Sequence, residues 1–208
     1  MSLALSVENL TGPVASHAAA VAAASPKPPR KANPRCLIIV PAYNEGDSIG
    51  KLIDRLQRSL PHMDVLVVDD GSTDGTAREA SNKSRTISLP FNVGIGGAMQ
   101  TGYRYADLHG YDIAIQVDGD GQHRPCEVKK LVDTVLSGEA DLAVGSRFLS
   151  NSPGYKQNPM RQLGAFFLRG MLQLLTGRRI TDCTSGFRAA NRKVIRAFAH
   201  WYPEDYPE

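Results

Sequence analysis

The chain has 208 residues, 42% hydrophobic and 22% charged, which is the composition of a soluble globular domain of ordinary size. It has no run of about 18 apolar residues, so the sequence predicts no membrane-spanning helix. Three cysteines stand far apart, which excludes a disulfide framework or a CxxC zinc site and fits a reducing compartment. The formal net charge is +3.

That excess charge lies within residues 1–35, which hold four basic residues and one acidic residue. The balanced remainder argues against a broad nucleic-acid-binding surface, so no nucleic-acid partner is expected. An Ala-rich stretch followed by a Pro-rich one predicts a disordered basic tail over residues 1–34. A single domain is expected over residues 35–208. The chain stops without a helix-ending signal, which suggests that this domain is truncated at its C-terminus.

From Cys36 onward, short apolar runs typical of buried strands alternate with segments of helical periodicity. The predicted strands are 36–40, 65–68, 86–89, 113–117 and 141–145. The predicted helices are 49–60, 73–81, 94–108, 125–135, 160–177 and 189–198. This alternation predicts an α/β fold with a mostly parallel central sheet flanked by helices on both faces. Ligands of such sheets bind beyond the carboxyl ends of the strands.

The segment 117–123 carries the strongest chemical signal in the chain. Two carboxylates, Asp118 and Asp120, and the amide of Gln122 follow a predicted strand. Hard oxygen ligands of this kind suit Mg²⁺ or Mn²⁺, which take substrate phosphates as further ligands. The pattern also fits a polar turn whose Asp residues cap the next helix, and this alternative stays open.

The segment Pro41-Ala42-Tyr43-Asn44-Glu45 follows the first predicted strand. Tyr43 offers a face for stacking, and Glu45 is able to accept a hydrogen bond from a ribose or a base edge. The alternative is a loop in which Asn44 and Glu45 cap the following helix.

The segment 67–76 ends the second predicted strand with several polar residues. Asp70 is placed to accept a hydrogen bond from a base N–H or a ribose hydroxyl. Asp69 is expected to hold the loop, and Asp74 to cap the next helix.

The glycine-rich segment 92–98 matches a dinucleotide fingerprint only in part, because its glycine spacing is wrong. Small residues such as Gly97 let a helix start press against a nucleotide sugar or phosphate. Close packing of the helix on the sheet explains them equally well.

Six motifs, in this order and spacing, resemble the family 2 inverting glycosyltransferases of GT-A fold: PAYNE, VVDDGSTDGT, NVGIGGA, VDGDGQH, VGSRF and DCTSGFRA. They are most similar to the polyprenyl-phosphate sugar transferases, the group of dolichyl-phosphate mannose synthase, over about residues 36–200. The resemblance implies that a sugar passes, with inversion, from a nucleotide-diphosphate sugar to a polyprenyl phosphate such as undecaprenyl or dolichyl phosphate.

The resemblance also implies roles for individual residues. The nucleotide would be bound by Pro41, Ala42, Tyr43, Glu45, Asp70, Gly97, Asp118 and Gly119. Mg²⁺ or Mn²⁺ would be bound on the diphosphate by Asp118, Asp120 and Gln122. The acceptor phosphate would be bound by Arg147, Arg161 and Ser185. Catalytic roles would fall to Asp120, Arg147 and Asp182. The alternatives are solvated surface charges for the two arginines and a helix cap for Asp182.

Residues 160–177 combine an apolar stripe with flanking arginines, which suits the membrane interface. The resembled family places this region near the bilayer, and the alternative is an ordinary core helix. The expectation is a cytoplasmic enzyme bound peripherally to the inner face of the membrane.

Two other functions stay open. One is a family 2 enzyme that uses a hydroxyl acceptor in polysaccharide or glycolipid synthesis, with Asp182 as the candidate base. The other is a non-catalytic module that binds a nucleotide sugar.

Overall fold

A computed structural model describes residues 33–118, 125–145 and 186–202, together with the backbone of Leu3–Leu5. Seven strands lie in these residues: β1 (Leu3–Leu5), β2 (Cys36–Ala42), β3 (Met63–Asp69), β4 (Arg85–Ser88), β5 (Ile113–Gln116), β6 (Leu142–Val144) and β7 (Arg188–Asn191). Five helices accompany them: α1 (Ile49–Ser59), α2 (Thr76–Ser81), α3 (Gly94–Leu108), α4 (Pro125–Leu136) and α5 (Arg192–His200).

The strands form one mixed sheet in the order β1-β6-β7-β5-β2-β3-β4. Strand β2 pairs in parallel with β3 and β5, and β3 pairs in parallel with β4. Strand β7 lies antiparallel between β5 and β6, and β1 is antiparallel to β6. Five strands therefore point one way, and β1 and β7 run against them. The predicted α/β fold is confirmed, and its parallel part is β4-β3-β2-β5.

Helices cover both faces of the sheet. Side chains of β2 alternate between them, with Ile38 in the core shared with α1 and α4 and Ile39 in the core shared with α3 and α5. Both residues are fully buried, which explains why this strand reads as a continuous apolar run rather than an alternating one. On α1, Leu52 and Leu56 recur one turn apart and pack into the first core.

Two predicted helices are wrong at their starts: the helix expected over 73–81 begins at Thr76, and the helix expected over 189–198 begins at Arg192. Residues 189–191 belong to β7, where the small side chains of Ala189 and Ala190 are buried within the sheet. The helix begins after Asn191, whose side-chain oxygen accepts hydrogen bonds from the backbone N–H groups of Lys193 (3.0 Å) and Val194 (3.1 Å). This N-cap sets the boundary between strand and helix.

A three-residue piece of the predicted tail lies in the sheet. Leu3–Leu5 pair antiparallel with Leu142–Val144, an edge strand that the composition of the tail did not predict. The rest of the tail lies outside the described residues, and its disorder stays a prediction. None of the helices in the described part of the chain has both the length and the apolar character needed to cross a bilayer.

Candidate functional site

The parallel strands bring three of the sequence motifs to one edge of the sheet. Ala42 at the end of β2 pairs with Asp69 at the end of β3. On the other side of β2, the ladder with β5 ends at Ile39 and Gln116, and the N–H of Val117 then donates to the carbonyl of Ile39 at 3.1 Å. The loops that follow β2, β3 and β5 therefore start side by side, as predicted for a ligand site of a parallel sheet.

Pro41 and Ala42 are the last two residues of β2, and both have structural roles there. Pro41 has no N–H to donate, and it follows the point where the ladder with β5 ends. The buried Ala42 accepts a 2.9 Å hydrogen bond from the backbone N–H of Asp70. Their predicted contacts with a nucleotide stay predictions.

Asn44 links the loop after β2 to the loop after β3. Its backbone N–H donates to the Ser72 hydroxyl at 2.9 Å, and its side-chain oxygen accepts from the Thr73 N–H at 3.0 Å. Its φ of 53° is in the left-handed region, which Asn tolerates better than most residues. The two loops therefore form one braced unit.

Tyr43 and Glu45 flank this brace. Tyr43 is 47% exposed, so its ring is available for stacking. The Glu45 carboxylate accepts a hydrogen bond from the Ser48 hydroxyl, and the Glu45 carbonyl accepts from the N–H of Ser48 at 3.0 Å. Glu45 thus orders the start of α1. This is the helix-capping role that the sequence left as the alternative to nucleotide binding. Ser48, the residue before α1, makes no capping hydrogen bond with its side chain.

Two neighbouring aspartates, one ending β3 and one following it, are both buried and accept hydrogen bonds from different partners. Asp69 accepts a hydrogen bond from the N–H of Ser72 at 3.3 Å, so it holds the loop, as predicted. Asp70 accepts from the N–H of Val93 at 2.8 Å through its Oδ1, which ties β3 to the residue before α3. The ribose or base contact predicted for Asp70 would fall to its Oδ2.

Asp74 acts as a cap, as predicted. Its Oδ1 accepts from the backbone N–H of Thr76, the first residue of α2, at 2.8 Å, and its Oδ2 accepts from the N–H of Gly46 at 3.0 Å. The Thr76 hydroxyl also donates to it and is the main cause that lowers the pKa of Asp74.

Gly97 lies in the first turn of α3, close to Val93, whose N–H donates to Asp70. A Cβ added at Gly97 would come within 2.5 Å of the Val93 side chain. The close approach of Val93 therefore accounts for a glycine here, but it is a contact with the residue before α3 and not with the sheet. A nucleotide contact at Gly97 stays a prediction.

Asp118 is the described member of the predicted metal site. It follows β5 and shares a face of the strand with Gln116, because side chains two residues apart point the same way. The Gln116 Nε2 donates to the Asp118 Oδ1 at 3.4 Å, a long contact. A Cβ added at Gly186, just before β7, would come within 2.5 Å of the same carboxylate oxygen.

This geometry suits one ligand of a hard divalent cation. The partly exposed carboxylate of Asp118 lies at the sheet edge and faces a residue without a side chain. Within the described ranges, no group of three or more His, Cys, Asp or Glu side chains forms a complete metal centre. The remaining oxygen ligands would have to come from the substrate, from water or from residues 119–124.

A cleft of about 600 Å³ lies beside this edge, between the loop after β2 and the start of α2. Four carboxylates, those of Glu45, Asp47, Asp74 and Glu79, line it with a single arginine, Arg78. Its lining includes neither Asp70 nor Asp118. Because this charge balance disfavours a diphosphate, we do not assign the donor to it.

Several predicted site residues fall outside the described ranges: Gly119, Asp120, Gln122, Arg147, Arg161, Asp182 and Ser185. The predicted membrane-facing helix over 160–177 does too. Their roles stay predictions.

Sequence reasoning missed Gln116, Val93 and the contact of Gly186 with Asp118. A signal for Gln116 was present, since a lone amide in an apolar strand two residues before an aspartate shares its face. The contact of Gly186 with Asp118 has no signal in the sequence, because it depends on the antiparallel pairing of β7 with β5.

The sequence profile described as "Glycosyl transferase family 2" matches residues 37–198. Two curated relatives are each 34% identical to the chain. An undecaprenyl-phosphate mannosyltransferase of Micrococcus luteus aligns over 78% of this chain and 69% of its own length. A polyprenol monophosphomannose synthase of Mycolicibacterium smegmatis aligns over 77% and 63%. The chain thus spans about two thirds of the length of these relatives.

Solved structures extend the comparison. Glucosyl-3-phosphoglycerate synthase from Mycobacterium tuberculosis, in complex with Mn²⁺ and uridine-diphosphate-glucose, superposes with a TM-score of 0.62 and 28% identity. The match covers 79% of this chain and 58% of the synthase. The fold is that of the GT-A glycosyltransferases, and the chain belongs to glycosyl transferase family 2.

Proposed function

We propose that this chain transfers a sugar, with inversion, from a nucleotide-diphosphate sugar to a polyprenyl phosphate. The observation that carries the proposal is the convergence of the Tyr43 loop, Asp70 and Asp118 at the edge where parallel sheets bind ligands. The names of the two relatives given above, an undecaprenyl-phosphate mannosyltransferase and a polyprenol monophosphomannose synthase, support the choice of acceptor.

The described residues divide the work of binding the donor. The exposed ring of Tyr43 stacks on the nucleobase, and the Asp70 Oδ2 accepts from the nucleoside. Asn44 fixes the position of Tyr43 relative to Asp70, because its hydrogen bonds join the two loops that carry these residues. Asp118 is the proposed residue at the diphosphate end of the donor.

Mg²⁺ or Mn²⁺, with Asp118 as one ligand, would neutralise the negative charge that grows on the leaving diphosphate. The presence of Mn²⁺ in a complex of a structural neighbour supports a divalent cation here. Asp120 and Gln122 are the proposed further protein ligands.

The reaction is a single displacement. An oxygen of the acceptor phosphate attacks the anomeric carbon and forms the new C–O bond. The bond to the diphosphate breaks, and the nucleoside diphosphate leaves with the electron pair. The acceptor phosphate is already anionic near neutral pH, so the step requires no strong base. Arg147, Arg161 and Ser185 are the proposed acceptor ligands, with Asp182 near the acceptor.

We also propose that the protein works at the cytoplasmic face of the membrane, where a polyprenyl phosphate is accessible. The amphipathic pattern of residues 160–177, with its flanking arginines, supports this location.

The test is an acceptor screen with radiolabelled UDP- and GDP-sugars and Mn²⁺. The proposal predicts label in undecaprenyl phosphate, and a drop of roughly 10²–10³-fold in this transfer for Asp118→Asn. The matched control is Asp54→Asn, which removes a surface ion pair with Lys83 and should leave transfer unchanged.

Other outcomes point elsewhere. The named product of the structural neighbours, glucosyl-3-phosphoglycerate, favours hydroxyl acceptors as the second candidate class. Label found only in 3-phosphoglycerate or a sugar alcohol would replace the proposal by that class. Donor binding without transfer or hydrolysis would indicate the non-catalytic module.

A further inference from the structure

Gln116 is an unusual residue for the centre of a sheet. It is 1% exposed, in a strand whose other residues are apolar. Its Nε2 donates to Asp118, but its Oε1 is buried and has no hydrogen-bond partner among the described residues. A buried, unsatisfied amide oxygen costs stability. An apolar side chain of the same length would fill this space without that cost.

Gly186, just before the neighbouring strand β7, approaches the same carboxylate. An added Cβ would lie 2.5 Å from the Asp118 Oδ1, 2.9 Å from its Oδ2 and 2.9 Å from the Gln116 Nε2. Distances below 3.0 Å require something to move. The backbone of Gly186 does not lie in the left-handed region, so space rather than φ calls for a glycine.

The sheet register explains why these residues meet. Strands β5 and β7 are antiparallel, with Gln116 opposite Arg188. When this register is continued by two residues, Gly186 stands opposite Asp118. The half-buried Arg188 turns its Nε toward the carbonyl of Gly186 at 3.4 Å, which helps to fix that backbone. The Asp118 carboxylate is thus confined on one side by an amide and on another by bare backbone.

We propose that Gln116 and Gly186 are positioning residues, which together hold the Asp118 carboxylate in the orientation that binds the metal–diphosphate end of the donor. The inference rests on the proposed function, since it takes Asp118 as a ligand there. The Gln116 N–H restrains one carboxylate oxygen, and the absence of a side chain at 186 leaves the room that this orientation needs. Loss of such supporting contacts typically weakens metal affinity by about 10–100-fold.

The test separates orientation from folding. Gln116→Met keeps the length of the side chain and removes the amide. We expect a thermal midpoint equal to or above that of the wild type, because the unsatisfied oxygen is gone. We also expect Mn²⁺-dependent binding of UDP, or of GDP if that is the preferred nucleotide, to weaken by about 10–100-fold in calorimetry. Binding of the nucleotide without metal should change less than about twofold.

Two further variants complete the design. Gly186→Ala should weaken Mn²⁺-dependent binding by a similar factor, because its Cβ displaces the carboxylate. Gln57→Met makes the same chemical change on the exposed side of α1, where it removes a hydrogen bond to the Lys83 carbonyl. This control should bind like the wild type.

Wild-type Mn²⁺-dependent affinity in folded Gln116→Met and Gly186→Ala would overturn the inference. So would a loss that is equal with and without metal, which indicates a general structural effect. If Gln116→Met does not fold, Gly186→Ala decides alone. Failure of the wild type to bind any nucleotide with Mn²⁺ would overturn the proposed function and this inference with it, and that outcome involves no variant.

Discussion

The carboxylate of Asp70 accepts a 2.8 Å hydrogen bond from the backbone N–H of Val93, so the end of β3 is tied to the residue that precedes α3. Asp70 is predicted to bind the nucleoside, and one of its two carboxylate oxygens is therefore already hydrogen-bonded within the protein. The bond orients the carboxylate at the sheet edge before a ligand arrives, which reduces the ordering cost of binding.

Replacement of Asp70 tests both of its tasks. Asp70→Ala leaves the Val93 N–H without its acceptor and should lower the free energy of unfolding by about 1–3 kcal/mol in urea titrations. Asp70→Asn retains an acceptor oxygen and should keep most of that stability. Both variants should weaken nucleotide binding. An Asp70→Ala protein as stable as the wild type would contradict the anchoring role.

Two glycines with positive φ form a matched pair beside this anchor. Gly71 has φ 70°, and an added Cβ would lie 2.5 Å from the backbone of Phe91. Gly94 has φ 82°, and a Cβ added there would have no atom within 4 Å. Gly94→Ala should therefore cost only the left-handed strain, about 1–2 kcal/mol. Gly71→Ala adds a clash with backbone and should cost about 2–5 kcal/mol.

Urea denaturation of the two alanine variants measures this difference directly. Equal losses of stability would show that φ alone accounts for both glycines. That result would contradict the close contact between the loop after β3 and the loop before α3.

Asn44 should be replaceable only in part. Asn44→Ala loses the acceptor for the Thr73 N–H and places alanine at φ 53°, so we expect a loss of about 1–3 kcal/mol. Asn44→Gly relieves the φ strain but not the lost hydrogen bond, so it should fall between alanine and wild type. The order is read from denaturation midpoints, and a glycine variant less stable than alanine would contradict it.

Asp74 should make stability depend on pH at the acidic end. Its pKa is lowered from its ordinary value, mainly by the Thr76 hydroxyl and the Thr76 N–H. A carboxyl whose folded pKa is depressed stabilises the fold above its unfolded pKa, and this contribution is lost as the pH falls through the folded pKa. The difference in thermal midpoint between wild type and Asp74→Ala should be full at pH 6 and shrink below about pH 4.

Asp74→Asn is the control for that titration. It keeps an acceptor for the N–H of Thr76 but has no carboxyl to titrate. The difference in thermal midpoint between Asp74→Asn and Asp74→Ala should therefore vary less with pH than the difference between wild type and Asp74→Ala. A wild-type advantage that is constant from pH 6 to pH 2.5 would contradict the assignment.

Much of the parallel half of the fold was predictable because local signals agreed with tertiary packing. The helix 94–108 was predicted with its observed bounds, since a glycine-rich start and a long apolar period mark it clearly. The strand Cys36–Ala42 is a run of apolar residues buried from both sides, which only a central strand needs. The loop roles of Asp69 and Asp74 followed from capping chemistry.

The antiparallel half of the sheet was less predictable, because contacts between residues far apart in the sequence determine it. The residues Arg188–Asn191 have the composition of a helix start, and only their place between β5 and β6 makes them a strand. The approach of Gly186 to Asp118 follows from that strand and has no local signal. For the same reason the amide of Gln116 could be seen in the sequence but not assigned to a partner.

The measurement that tests the central claim most directly is calorimetric titration of the chain with UDP- and GDP-sugars, with and without Mn²⁺. The account predicts saturable binding of one of them that Mn²⁺ strengthens and that, with Mn²⁺ present, is at least about tenfold weaker in Asp118→Asn. Absence of binding by both donors, or binding that neither Mn²⁺ nor Asp118→Asn affects, would contradict it.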